Sequence, residues 1–159
     1  MRKARKSNAK DLAKDDFEQR IVDLARVTRV MAGGKRMRFR ACVVVGDRRG
    51  RVGIAIAKGK DVTVAVNKAA SKARRHLITV PIVNGTIPHP VQNKYSSAVI
   101  LLKPAPLGRG VIAGGAARAV LELSGVPNIV SKMLGSRNKI NNVYAVMYAL
   151  ESLRTHRSQ

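Results

Sequence analysis

The sequence contains few aromatic residues and few acids. It has no tryptophan and only 3% aromatic residues, so a packed core must be built from aliphatic side chains. A single cysteine, Cys42, excludes an internal disulfide and is consistent with a reducing cytosol. Because Cys42 lies in a strand pattern, we expect it to be a small buried side chain. Only 9 acids stand against 31 lysines and arginines, which leaves a formal net charge of +22. Such a protein repels itself unless it lies beside a polyanion.

Long apolar runs are also missing. A membrane-spanning helix needs about 20 apolar residues, whereas no run here approaches that length, and the run at residues 98–102 has the length of a strand. Residues 1–16 are basic, but no apolar segment follows them as it would in a secretory signal. We therefore expect a cytoplasmic protein with no membrane partner and with nucleic acid as its polyanion. An anionic membrane surface is the alternative, and a preference for anionic vesicles over RNA would reveal it.

Composition and periodicity divide the chain into four parts. We predict a basic N-terminal tail over residues 1–16, a first domain over 17–80, a second domain over 81–153 and a C-terminal tail over 154–159. More than half of the net positive charge lies in the first domain. The predicted fold class is α+β with two small domains, because strands and helices are mixed without a long repeat.

The first domain is predicted to be β-β-β-α. A short helical turn and a strand fill residues 17–31, and period-two alternation predicts strands with one buried face over 36–45 and 51–57. Asp61 is placed to cap the helix that follows. The apolar stripe of that helix consists of Val62, Val66, Ala69, Ala73 and Leu77.

The second domain is predicted to mix strands and helices, in an α+β or split βαβ arrangement. Residues 78–94 contain three prolines and are predicted to be linker or edge structure. After them we predict a strand closed by a proline over residues 96–104 and a glycine-rich loop over 107–115. A helix that ends before a glycine follows over 116–124, then a strand-like stretch over 126–135 and a last helix over 138–154.

One predicted strand presents a row of arginines. Arg36, Arg38 and Arg40 alternate with Met37 and Phe39, so the arginine side chains share one face at a spacing of about 7 Å. Like charges at this spacing are unfavourable unless an anion neutralises them, and the guanidinium fork binds phosphate oxygens in pairs. The pattern therefore predicts a phosphate-binding face.

The sequence favours structured RNA over other nucleic acids. No recognition helix or heptad-linked basic region is present, which argues against a major-groove reader of DNA. Phe17 and Phe39 are spaced as core residues, so no aromatic stacking platform is predicted, and this argues against a reader of single strands. Binding to the shape and the phosphates of folded RNA fits best.

Catalytic and metal chemistry have little support. The loop GRGVIAGG has a GxGxxxG spacing, one residue longer than a dinucleotide-binding fingerprint. A nucleotide-dependent small-molecule kinase using residues 107–115 is the enzymatic alternative, but Glu122 is the only acid over residues 81–150. The three histidines are far apart in sequence, unlike zinc ligands. We therefore expect no enzyme activity, no metal and no cofactor, and binding of ATP with magnesium would support the alternative.

Three collinear runs resemble a known family. They are VVVGDRRGRVGIAIAKGKDVTVAVNKAASKARR at residues 43–75, NGTIPHPV at 84–91 and GRGVIAGGAARAVLELSGVPNIVSKMLGSRNKINNV at 108–143. They resemble the bacterial small-subunit ribosomal protein five family, over roughly residues 20–153. The resemblance implies an N-terminal domain similar to a double-stranded-RNA-binding domain, followed by a C-terminal βαβ-type domain.

The resemblance also implies a role and partners. It implies a structural constituent of the small ribosomal subunit that binds small-subunit ribosomal RNA. Its protein partners would be ribosomal proteins four and eight, the first at an interface tied to decoding accuracy, and it would help to line the mRNA entry region. The residues implied at the interface with protein four are Gly108, Arg109, Gly110 and Arg118.

The candidate RNA-binding residues combine the charge pattern with the turn that the resemblance implies at residues 28–34. They are Arg26, Thr28, Arg29, Gly33, Gly34, Lys35, Arg36, Arg38, Arg40, Arg48, Arg49, Arg51, Lys58, Lys60, Lys68, Lys72 and Arg75.

Overall fold

The computed structural model describes residues 17–154, so the predicted tails lie outside the described residues except for Arg154. A first antiparallel sheet contains, in spatial order, β1 (Glu18–Met31), β2 (Gly34–Gly46), β3 (Arg51–Gly59) and β4 (Leu77–Thr79), and α1 (Val62–Ala73) links the last two strands. No helix within the described range is long and apolar enough to cross a membrane.

A second sheet contains β5 (Val91–Tyr95), β6 (Ala98–Pro104), β7 (Val111–Ile112) and β8 (Ile129–Met133), and the order of its strands is β5–β6–β8–β7. Helix α2 (Gly115–Ser124) connects β7 to its parallel neighbour β8, which makes a βαβ unit, and α3 (Lys139–Glu151) follows. The predicted α+β class with two units is confirmed.

Strand β1 begins earlier than predicted. Glu18 already pairs with Gly46 of β2, and the pairing continues to Met31 and Gly34 at the tip of the hairpin. The predicted helical turn is therefore wrong, because β2 offers ladder hydrogen bonds to these residues from Glu18 onward.

Helix α1 starts as predicted but buries smaller side chains. The Asp61 carboxylate accepts a hydrogen bond from the Val62 N–H at 2.7 Å. Val62 is only half-buried, and the buried residues are Ala65, Ala69, Ala70 and Ala73. The helix can lie this close to the sheet because the facing strand carries a glycine. A Cβ placed on Gly59 would lie 2.6 Å from the Ala65 nitrogen.

One short strand of the second unit escaped prediction. The predicted glycine-rich loop over 107–115 contains β7, which has only two residues and so shows no readable alternation. The segment predicted as linker or edge structure over 78–94 contains most of β5, which is an edge strand of the second sheet. The three prolines of this segment precede the strand. Helix α2 ends at Gly125 as predicted, with a φ of 80° that favours glycine.

The first sheet is buried on both faces near its base. Ala41 and Val43 pack against α1 on one face, while Cys42 and Val44 join the core formed with α2 and α3 on the other. All of residues 41–46 are buried. The predicted single buried face is therefore wrong for this part of β2, because the second unit supplies a further layer of helices.

Helix α2 holds the two units together. The N–H of Arg48 donates to the Leu123 carbonyl at 3.1 Å, and the N–H of Gly50 donates to the Ser124 carbonyl at 2.9 Å. On the same helix, the Glu122 carboxylate forms an ion pair with Arg20 of β1. These bonds fix the orientation of one sheet relative to the other.

Candidate nucleic-acid interface

The outer half of the β1–β2 hairpin, residues 25–40, forms an arm with cations on one face. Arg29 and Arg36 are directly opposite each other in the register, so their side chains share a face with Arg38. Strand β3 contributes Lys58 to the same side. These four cations, which we call the arm face, line a shallow depression of about 290 Å³.

The charges of the arm face are largely uncompensated by the described residues. All four side chains are exposed. Among residues 17–154, Arg29, Arg36 and Arg38 form no ion pair. An anion from outside the described chain can therefore neutralise them without displacing an internal partner.

Arg40 differs from the other two arginines of its row. Its guanidinium donates a hydrogen bond to the Asp23 carboxylate at 3.3 Å, and both side chains are partly buried. A register shift between Ile21 and Asp23 brings this carboxylate to the diagonal position beside Arg40. The protein itself thus supplies the anion for one arginine of the predicted row, which the strand pattern did not predict.

The β2–β3 turn also holds two of its arginines with acids. Arg48 donates to the Glu18 carboxylate at 2.7 and 3.1 Å. Arg51 donates to Asp47 at 2.6 Å, and its guanidinium lies 5.1 Å from the centre of the Phe17 ring. Arg49 is exposed.

Asp47 organises this turn. Burial by itself would raise the pKa of the Asp47 carboxyl. Hydrogen bonds from the Arg51 side chain and from the backbone N–H groups of Arg49 and Arg51 outweigh burial and hold the pKa below its usual value. The carboxylate therefore stays ionised and accepts three hydrogen bonds.

A second cationic surface runs from the arm to α1. Lys68 and Lys72 are exposed on the helix, as the sequence predicts. Arg75 is exposed in the turn that follows, because α1 ends at Ala73, earlier than predicted. With Arg38 and Lys58 they line a groove of about 740 Å³, which we call the helix groove. Because the two surfaces share Arg38 and Lys58, they form one continuous basic track.

Of the remaining candidates, Thr28 also lines the depression of the arm face. Arg26 and Lys35 belong to the opposite face of the arm, the side of the sheet that α1 covers nearer the base. Gly33 and Gly34 form the tip, and the φ of 140° at Gly34 favours glycine. Lys60 is exposed after β3.

The candidate protein-interface residues come together beside α2. Gly108 and Gly110 have φ values of 85° and 73°, and the N–H of Gly110 donates to the Asn128 side chain at 3.0 Å. The Arg118 guanidinium donates to the Val111 carbonyl at 3.4 Å and thereby connects helix and loop. Arg109 is exposed in the same loop.

The sequence prediction missed an aromatic cluster. Tyr95 of β5 lies against Tyr144 and Tyr148 of α3, with ring centres 5.2 and 5.4 Å apart. The prediction that no stacking platform exists considered only Phe17 and Phe39 and overlooked these three rings. The spacing of four residues between Tyr144 and Tyr148 on one predicted helix was the available signal.

The structure offers no support for nucleotide catalysis at the glycine-rich loop. Glu122 is paired with Arg20 and lies 4.0 Å from the Arg118 guanidinium, so it is not free to bind magnesium. Among the described residues, no group of three His, Cys, Asp or Glu side chains could hold a metal ion. Burial raises the pKa of the Cys42 thiol to about 11, with a smaller contribution from the Asp23 charge, so this thiol stays protonated.

Fold and surface together define a class: a two-unit α+β protein with a continuous basic track suited to a polyanion. Residues 17–81 match the family described as ribosomal protein S5, N-terminal domain, and residues 93–159 match ribosomal protein S5, C-terminal domain.

Curated relatives agree with these matches. Small ribosomal subunit protein uS5 of Thermus thermophilus is 53% identical over 140 residues, which cover 88% of this chain and 86% of the relative. Protein uS5c of Guillardia theta is 44% identical over 159 residues, covering 99% and 94%. Protein uS5c of Spinacia oleracea is 50% identical over 146 residues, covering 91% and 47%. The chain belongs to the ribosomal protein S5 family.

Proposed function

We propose that this protein holds small-subunit ribosomal RNA through its arm face and helix groove. As a member of the S5 family it is a structural, non-enzymatic constituent of the small ribosomal subunit in the cytoplasm, where it associates with ribosomal RNA and other ribosomal proteins. The observation that carries the proposal is the arm face. Its exposed arginines pair with no acid among residues 17–154, so phosphate is the anion that would compensate them.

Salt dependence tests the arm face. Replacing Arg29, Arg36 and Arg38 together by Ser removes three phosphate contacts, and each contact contributes about 0.9 to the slope of log affinity against log salt. We expect the slope for a duplex fragment of the ribosomal RNA to fall by about 2.7. Arg40 is left unchanged because its loss would also expose Asp23.

The matched control removes equal charge elsewhere. Lys94, Lys103 and Lys132 are exposed on the second sheet, away from the arm. Their joint replacement by Ser should leave the slope nearly unchanged. Equal losses of slope in both triple variants would contradict the assignment of binding to the arm.

The loop beside α2 is proposed as the interface with ribosomal protein four, through which the protein contributes to decoding accuracy. Support comes from the two glycines with positive φ and from Arg118, which holds the adjoining Val111 carbonyl. Gly110→Ala strains this backbone, and Arg118→Gln removes the charge. Either should change misreading in a reporter assay on ribosomes carrying the variant, and unchanged accuracy in both would refute the interface.

Further contacts are proposed with ribosomal protein eight, through the second unit, and with mRNA near its entry. The helix groove supports the latter, because its cations extend the basic track beyond the arm. Messages carrying a photoreactive base should crosslink to this protein in assembled subunits, and Lys68→Ser with Lys72→Ser should lower the yield. An unchanged yield would remove mRNA from the partners of this groove.

A further inference from the structure

A third groove lies between the two units, next to the helix groove. Among the described residues β4 pairs only with Arg51, Val52 and Gly53, so the rest of the outer edge of β3 has no strand beside it. A groove of about 600 Å³ follows this open edge and reaches α3. We call it the tyrosine groove.

One wall of the tyrosine groove is cationic. Lys72 and Arg75 line it, together with His76, near the end of α1. Lys72 and Arg75 also line the helix groove, so the basic track continues into the tyrosine groove. A polynucleotide following the track would therefore find phosphate-binding side chains at this wall.

The facing wall is aromatic. Tyr144 and Tyr148 line it, and Tyr95 supports both rings from β5. Tyr148 is 46% exposed, while its ring stacks on Tyr95 at an angle of 28°. This arrangement holds the ring in place and leaves part of its surface accessible. The three tyrosines of the cluster are all the tyrosines of the chain.

A cationic wall facing an aromatic wall matches the two chemical parts of a nucleotide. Proteins bind unpaired nucleotides by stacking the base on an aromatic ring and holding the phosphate with lysine or arginine. Glu151, at the α3 side, also lines the groove. Its carboxylate repels phosphate and accepts hydrogen bonds from base amino groups, which sets the orientation, with the phosphate towards α1 and the base towards α3.

We propose that the tyrosine groove binds an unpaired nucleotide of RNA, with its base against Tyr148 and its phosphate against Lys72 and Arg75. The proposal rests on the proposed RNA-binding function but adds a different specificity. The arm face reads phosphates and accepts a duplex, whereas the tyrosine groove requires a base that is not stacked within a helix.

Intrinsic fluorescence tests the proposal directly. The chain has no tryptophan, so its emission comes from these three tyrosines alone. The full chain is titrated with a single-stranded oligonucleotide and with a blunt-ended duplex of equal length that has no unpaired bases, and free N-acetyltyrosinamide corrects for RNA absorbance. We expect quenching by the single strand and little by the duplex. Equal quenching by the single strand and the duplex would overturn the proposal. Absence of quenching by either RNA would also overturn it, and would indicate that the groove binds a protein partner.

Variants separate this site from the arm. Because the base loses its stacking partner, Tyr148→Ala should weaken single-strand binding about tenfold, measured by anisotropy of a labelled oligonucleotide. Duplex binding should not change. Tyr148→Phe keeps the ring and should bind within about twofold of the unchanged chain. Single-strand affinity that is unaffected in Tyr148→Ala would refute the site.

Two further experiments complete the test. The variant in which Arg29, Arg36 and Arg38 are replaced by Ser should lose duplex affinity, while single strands should still quench its tyrosines. Failure of the arm to bind RNA and failure of the groove to bind RNA are therefore distinguishable. Adenosine monophosphate serves as the free-nucleotide probe. If it quenches the tyrosines at the same concentration as the oligonucleotide, the groove is a nucleotide site and the assignment to RNA is overturned.

Discussion

The two halves of the β1–β2 hairpin share one ladder of hydrogen bonds and differ in almost everything else. Near the base, Val43 and Val44 are 0% exposed, with a layer of helices on each face. In the arm, Val30 is 73% and Met37 is 55% exposed, and cations replace the buried valines. The same strands thus form a core at one end and a binding surface at the other.

This difference shows how the chain divides stability from binding. Burial of apolar side chains stabilises the base, at about 25 cal/mol per Å² of apolar surface removed from water. The arm has little such burial, and it is stabilised by the backbone hydrogen bonds between β1 and β2 and by its connection to the buried base of the hairpin. Arginines can therefore be exposed along the arm without loss of core packing, and mutations in the two halves should have separable effects.

The largest effect is expected from placing a charge in each half. Val44→Asp puts an unpaired carboxylate into the core and should destabilise the fold by at least about 4 kcal/mol, whereas Val30→Asp at the tip should change stability by less than about 0.5 kcal/mol. Urea denaturation followed by circular dichroism measures both. Similar losses in the two variants would mean that the arm is part of the cooperative core.

A smaller effect is expected within the arginine row itself. Arg40→Met removes the partner of the half-buried Asp23 and should cost about 1 kcal/mol of folding stability. Arg38→Met should leave stability unchanged and lower the salt slope of RNA binding by about 0.9. Denaturation and binding measured on both variants check this division. A stability loss in Arg38→Met equal to that in Arg40→Met would contradict it.

Acid should weaken the base of the hairpin through Asp47. Because its pKa is lowered in the folded state, the ionised carboxylate stabilises the fold above the unfolded pKa, near 3.8, and this contribution is lost as the pH falls through the lower folded value. The unchanged chain should therefore lose more stability between pH 5 and about pH 2.5 than Asp47→Asn does. Parallel pH profiles for the two proteins would show that the turn does not depend on this charge.

Elements with a strong local signal could be predicted from sequence. Alternation located β2 and β3, Asp61 marked the start of α1, and Gly125 marked the end of α2. The resemblance supplied the βαβ character of the second unit. Local patterns do not contain the partner across a sheet, which explains why the start of β1 and the two-residue β7 were missed.

The sequence predicted which cations belong to the site, but it predicted less well which of them are free to bind RNA. The cations of the arm and of α1 stand where the charge pattern indicated, but whether each is free depends on distant acids. Asp23 and Glu18 reach Arg40 and Arg48 only because the register of β1 brings them there. The tyrosine cluster joins β5 to α3 across a long separation in sequence, so only its α3 pair left a local trace.

The smallest expected effect compares two adjacent arginines at the base of the hairpin. Arg48 is bound to Glu18, so RNA would have to compete with that carboxylate, whereas Arg49 is exposed and uses only its backbone N–H to bind Asp47. Arg49→Ala should therefore lower the salt slope of RNA binding by up to about 0.9, and Arg48→Ala by clearly less. Glu18→Gln should release Arg48 and raise RNA affinity slightly. A larger slope change in Arg48→Ala than in Arg49→Ala would mean that RNA displaces Glu18, and that internal ion pairs do not decide which cations of this protein bind phosphate.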